Sequence, residues 1–64
     1  MIRVDELRGL IARKGISQRK VAQKMGITDK TFYMKMKSGK FNSDEMQALI
    51  DILDIKNPSE IFFA

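Results

Sequence analysis

The stretch Ser17–Lys37, SQRKVAQKMGITDKTFYMKMK, reads as a short helix, a tight turn and a second short helix. Ser17 suits the cap of the first helix, because its hydroxyl accepts a backbone N–H that has no partner within the helix. Val21, Ala22 and Met25 recur at helical spacing and give that helix one apolar stripe. Gly26 follows, where a residue that adopts the left-handed backbone at little steric cost ends a helix well. Ile27 is an apolar plug in the turn. Thr28 caps the next helix, whose inward positions are Phe32 and Met36. Two helices joined by a turn of about three or four residues containing Gly make a helix-turn-helix.

The flanking segments read as helices too, and none alternates with the period of a strand. Residues 4–14 carry Leu7, Leu10 and Ile11 as an i, i+3, i+4 stripe. Asp5 and Glu6 lie near the start of that helix and Arg13 and Lys14 near its end, as the helix dipole favours. Gly15 stops it. Gly9 in its interior is unfavourable by about 1 kcal/mol relative to Ala, so a neighbouring helix is expected to pack closely there. Ile16 tucks into the core. After Ser38, Gly39 and Lys40 break the pattern, Phe41 resumes the core. Asn42 and Glu45 have the spacing of a capping box, opening a helix over 43–53 that buries Met46, Leu49, Ile50 and Leu53. Asn57, Pro58 and Glu60 make another start signal, with Asn as cap and Pro at the first helical position. The final helix, 58–63, brings Ile61 and Phe62 inward. The fold class is therefore all-α, five short helices in one domain over residues 1–64.

Charge is unevenly placed. Residues 1–40 hold 11 Lys and Arg against Asp5, Glu6 and Asp29, and residues 41–64 hold Lys56 against five acids. The net charge of +4 is thus a basic first portion joined to an acidic last one. A basic portion that carries a helix-turn-helix is the footprint of a polyanion binder. The same lysines also suit a solvated surface kept for solubility. With no Cys and no His, there is no disulfide framework, no thiolate metal site and no nucleophile–base pair. No Gly-rich phosphate loop is present, and no apolar run approaches the roughly 20 residues that cross a bilayer. Enzymatic activity, a cofactor, a metal, a small-molecule ligand and a membrane partner are all unexpected, and a cytoplasmic location is expected.

The stretch resembles the helix-turn-helix of the Cro/CI (XRE-type) repressor family. The matching residues are Gln18, Val21 and Ala22 in the first helix, Gly26, Ile27 and Thr28 in the turn, Phe32 in the second helix, and Gly39 after it. The resemblance covers nearly the whole chain and implies the lambda-repressor-like arrangement of five helices, with helices 2 and 3 as the DNA-binding pair. Two departures stand out. Gly39 comes one residue later than in the commonest family form. Lys35 stands where family members often have a second aliphatic residue, with Met36 taking the apolar role. The second helix is therefore expected to be slightly longer or rotated.

A helix of about ten residues fits the major groove, with its N-terminal residues reaching base edges first. With Phe32 and Met36 inward, about 100° per residue places Lys30, Met34 and Lys37 on the outward face, flanked by Tyr33. The base-contact set is Asp29, Lys30, Thr31 and Met34. Lys30 suits guanine O6 or N7, Asp29 suits cytosine N4, and Thr31 and Met34 suit a thymine methyl. Asp29 has a second reading, as a first-turn carboxylate that stabilises the helix dipole. The phosphate-contact set is Gln18, Arg19, Thr28, Tyr33, Lys37, Lys40 and Asn42; for Gln18 that role is implied by the resemblance. The resemblance also implies a homodimer on double-stranded operator DNA, and the surface expected to form it is Ile52, Ile55 and Phe63. Occlusion of a promoter by a phage or prophage Cro- or CI-like repressor is the function expected. The alternative is a protein-interaction module, antitoxin-like or adaptor, that uses Met34 and Phe63 on the same fold.

Overall fold

A computed structural model of the chain describes residues 2–63. Its elements are α1 (Val4–Arg13), α2 (Gln18–Met25), α3 (Asp29–Ser38), α4 (Ser43–Leu53) and α5 (Pro58–Phe62), with no strand among the described residues. These bounds lie within one residue of the expected ones. No helix among the described residues is long and apolar enough to cross a membrane.

Three helices start by the same chemistry. Ser17 Oγ accepts from the Lys20 N–H at 3.0 Å, Thr28 Oγ1 from the Thr31 N–H at 3.1 Å, and Asn42 Oδ1 from the Glu45 N–H at 2.8 Å. Each bond satisfies a donor that the helix leaves unpaired. The stops are equally regular. Gly26 takes φ 77°, with its own N–H on the Gln23 carbonyl and the Ile27 N–H on the Ala22 carbonyl, the paired bonds of a Schellman stop. Asp54 ends α4 in the same left-handed region, at φ 52°, and the Ile55 N–H returns to the Ile50 carbonyl. Asp is one of the few residues with a Cβ that accept this backbone.

Packing gathers the apolar stripes around α2, which lies against α3 and α4, while α1 lies against α5. Leu7, Val21, Ala22, Phe32, Met36, Leu49 and Leu53 are essentially inaccessible, and no buried residue among those described is polar or charged. The Phe32 and Phe41 rings meet at 6.3 Å and 57°, a tilted geometry that favours aromatic pairs. The Arg3 N–H donates to the Ile61 carbonyl at 2.7 Å and ties the start of α1 to α5.

Several expectations are corrected. Nothing packs closely on Gly9: a Cβ there would meet only the Arg13 guanidinium at 3.6 Å. Val4 approaches Gly39 instead, at 3.7 Å from a Cβ built there. Met25, Met46 and Ile50 are half-buried at the margin of the core, not inside it. Asn57 does not cap α5; at φ −125° and ψ 74° its side chain makes no cap bond, and Pro58 opens the helix without it. Ile55 is buried at 8% exposure. The stop at Asp54 turns it into the core, so it offers no free surface to a second copy.

The capping box at α4 does more than start a helix. Glu45 Oε1 accepts from the Asn42 N–H at 2.8 Å, while its Oε2 meets the Lys35 ammonium at 2.9 Å. One carboxylate therefore joins α3 to the start of α4. Partial burial pushes this carboxyl upward, but the Asn42 N–H and the Lys35 charge outweigh it and hold the group below its ordinary value.

Leu49→Ala empties a fully buried site and is expected to cost about 2–5 kcal/mol. Met34→Ala, on the exposed face, should stay within about 0.5 kcal/mol; urea denaturation followed by circular dichroism measures both. A carboxyl held below its ordinary value contributes stability above the ordinary carboxylate range and loses it as pH falls through the lowered value. Glu45→Gln is thus expected to be less stable than wild type by roughly 1 kcal/mol at pH 7. The gap should close in urea titrations at progressively acid pH; a gap that persists unchanged to pH 2 contradicts the assignment.

Candidate nucleic-acid interface

Phe32 and Met36 are 1% and 2% exposed, so the orientation of α3 about its own axis is fixed by burial. The expected outward residues follow from it: Lys30, Thr31, Tyr33, Met34 and Lys37 are all exposed, Met34 at 57% and Tyr33 at 58%. Tyr33 and Met34 thus stand in water on the face of α3 opposite its buried one.

All of these exposed residues except Lys37 line one of two hollows. The first lies where the start of α2 meets the start of α3, has a volume of about 210 Å³, and brings together Gln18, Arg19, Asp29 and Tyr33 over the edge of Phe32. Gln18 sits at the first position of α2, directly after the Ser17 cap, and Asp29 at the first position of α3, directly after the Thr28 cap. The turn thus carries the beginnings of both helices to one place. Arg19 Nε lies 3.4 Å from Asp29 Oδ2. Asp29 is therefore an ion-pair partner across the turn as well as a first-turn carboxylate, a role the sequence did not disclose. Both side chains are more than half exposed, so the pair is worth little energy by itself.

The second hollow runs along the outer face of α3 into the loop that follows, with a volume of about 470 Å³. Lys30, Thr31, Met34 and Lys40 line it, together with Lys35 and Ser38, which were outside the expected contact sets. The spacing i, i+1, i+4, i+5, i+8 across Lys30, Thr31, Met34, Lys35 and Ser38 is one helical face and was available as a signal. Ser38 Oγ donates to the Lys35 carbonyl at 3.2 Å and accepts from the Lys40 N–H at 3.3 Å, which steadies the exit from α3.

The hydroxyls and amides are partly committed. The Thr28 hydroxyl donates to Thr31 Oγ1 at 2.8 Å while accepting from the Thr31 N–H. Thr31 keeps its own O–H as a donor. Asn42 uses Oδ1 for the cap, which leaves its NH₂ group as two outward donors. Lys37 is exposed but lines neither hollow. Lys30, Lys37 and Lys40 have no carboxylate within 4.0 Å among the described residues.

Of the surface expected between two copies, Phe63 is 73% exposed and Ile52 is half-buried against the core. They lie on α4 and just after α5, elements separate from the two hollows.

Comparison with the curated proteins and with the solved structures finds no significant match to either. A family model does match: that of the Cro/C1-type HTH DNA-binding domain, over residues 6–63. With α2, the Gly26–Thr28 turn and α3 standing at the centre of the matched region, the chain belongs to the Cro/C1-type helix-turn-helix DNA-binding domain family.

Proposed function

We propose that the protein is a sequence-specific transcriptional regulator that inserts α3 into the major groove of operator DNA and represses by occluding a promoter. The observation that carries this is the division of α3 into a locked inner face and an exposed outer one. Phe32 and Met36 are buried, and Lys30, Thr31 and Met34 are presented together along one hollow. Base readout is assigned to Lys30, Thr31, Met34 and Asp29, through the donor and acceptor patterns of the groove. Asp29 reaches a cytosine amine when Arg19 leaves it for a phosphate.

The phosphate contacts are assigned to Gln18, Arg19, Thr28, Tyr33, Lys37, Lys40 and the free amide of Asn42. These groups flank the outer face of α3 on both sides, as contacts that set register do. Thr28 donates its hydroxyl to a phosphate only after giving up the bond to Thr31, so it is the weakest of the set. A second copy is assigned to the surface of Phe63 and Ile52, because a domain of this size reads a half-site and symmetry supplies the other. The regulator acts in the cytoplasm, in the manner of a phage or prophage repressor, with no catalytic step.

The test is selection from a random-sequence DNA pool, followed by fluorescence anisotropy on the selected duplex and a scrambled control. A palindrome bound on the order of a thousandfold tighter than the control is expected. Lys30→Ala should weaken the selected site by about 1–3 kcal/mol and relax preference at one base pair, and Gln18→Ala should weaken all duplexes alike. If no sequence is enriched while a stoichiometric protein partner is recovered, the interaction-module alternative, with Met34 and Phe63 as its contacts, replaces this one.

A further inference from the structure

Four lysines stand on the outer portion of α3 and the loop after it: Lys30, Lys35, Lys37 and Lys40. Among the described residues, only Lys35 of these four meets a carboxylate, at 2.9 Å from Glu45 Oε2. The two partners are also the least exposed of the ion pairs among the described residues, at 29% and 14% of their side chains. Glu45 is not free to follow Lys35 outward, since its other oxygen is held by the Asn42 N–H at 2.8 Å and its own N–H by Asn42 Oδ1 at 2.8 Å. The anchor is thus rigid, and the ammonium is drawn toward the start of α4.

Lys35 nonetheless lines the same hollow as Lys30, Met34 and Lys40. A lysine there, unpaired, has a flexible four-carbon stem and a mobile point charge within the basic surface that faces phosphates. Each lysine that neutralises a phosphate adds a sequence-independent increment of affinity and steepens the loss of binding with salt. We infer that Glu45 withholds Lys35 from the DNA backbone, so that Lys35 stands on the recognition face without joining its phosphate contacts. Glu45 is in this sense a positioning residue: it never touches DNA, and it sets how many cations do. The inference rests on the DNA-binding function proposed above.

The charges elsewhere do not substitute for this one. Arg19 pairs with Asp29 at 3.4 Å with both side chains largely in water, so DNA can take Arg19 at little cost. Glu45 is different because its capping box must open before it moves, and Gln at the same place keeps the box while dropping the charge.

The experiment is a salt series from 50 to 200 mM on a scrambled duplex, with wild type, Glu45→Gln, Lys35→Met and the double variant, each checked for helicity by circular dichroism. Glu45→Gln is expected to steepen the slope of log affinity against log salt by about 0.9, which is roughly a threefold larger loss over that range. Lys35→Met should leave the wild-type slope unchanged, and the double variant should return to it. The assignment is overturned if Glu45→Gln leaves the slope alone, or if Lys35→Met lowers it by about 0.9. It is equally overturned if the double variant keeps the steeper slope, since loss of the Glu45 charge then acts without Lys35. A wild-type chain with no salt-dependent binding removes the DNA-binding function and this inference together; a wild-type slope with an unresponsive Glu45→Gln removes this inference alone.

Discussion

Burial of Phe32 is the constraint on which the interface depends. Its ring is 1% exposed and lies 6.3 Å from that of Phe41. A helix rotated by one residue would turn this ring through about 100° toward water, at a cost of roughly 3 kcal/mol in lost burial. That penalty fixes which residues of α3 face out. Lys30, Met34 and Lys37 are outward because Phe32 and Met36 are inward. The chemistry presented on the outer face of α3 is therefore chosen by the core as much as by the surface residues themselves.

The turn adds the second half of the geometry. Gly26 at φ 77° lets Ile27 fold back on the Ala22 carbonyl, and Thr28 begins α3 two residues later. A side chain at Gly26 would meet nothing within 4 Å, so its requirement is for backbone conformation and not for space. The short passage from stop to cap leaves Gln18, at one helix start, and Asp29, at the other, around one hollow. Neither would be placed by sequence distance, since the whole of α2 separates them.

What was legible in the sequence follows the range of the interactions involved. Caps, glycine stops and apolar stripes act over three or four residues, and these gave Ser17, Thr28, Asn42, Gly26 and the five helices correctly. The outward set on α3 was also legible, because one helical period relates it to Phe32. The failures lie where a distant element decides. Asn57 has the composition of a cap but not the backbone angles. Ile55 looked like a surface aliphatic until Asp54, at φ 52°, turned the chain inward. Gly9 suggested a close helix crossing, and the close approach is instead that of Val4 to Gly39. The Arg19–Asp29 pair and the Lys35–Glu45 pair join residues ten apart, which no periodic pattern reports.

The Lys35 position shows how a departure from a family habit acquires a physical meaning. An aliphatic residue there would bury its side chain between α3 and α4 and leave Glu45 to serve only its own cap. A lysine can cover the same ground with its methylene stem, but its charge then needs a partner in a place with little water. Glu45 is already oriented by Asn42, so its second oxygen supplies that partner without further ordering of the chain. Lys35 is thus a cation tied down beside the hollow on the outer face of α3. Such a pair joins α3 to the start of α4, and under the DNA-binding function proposed above it also sets the count of cations available to phosphate.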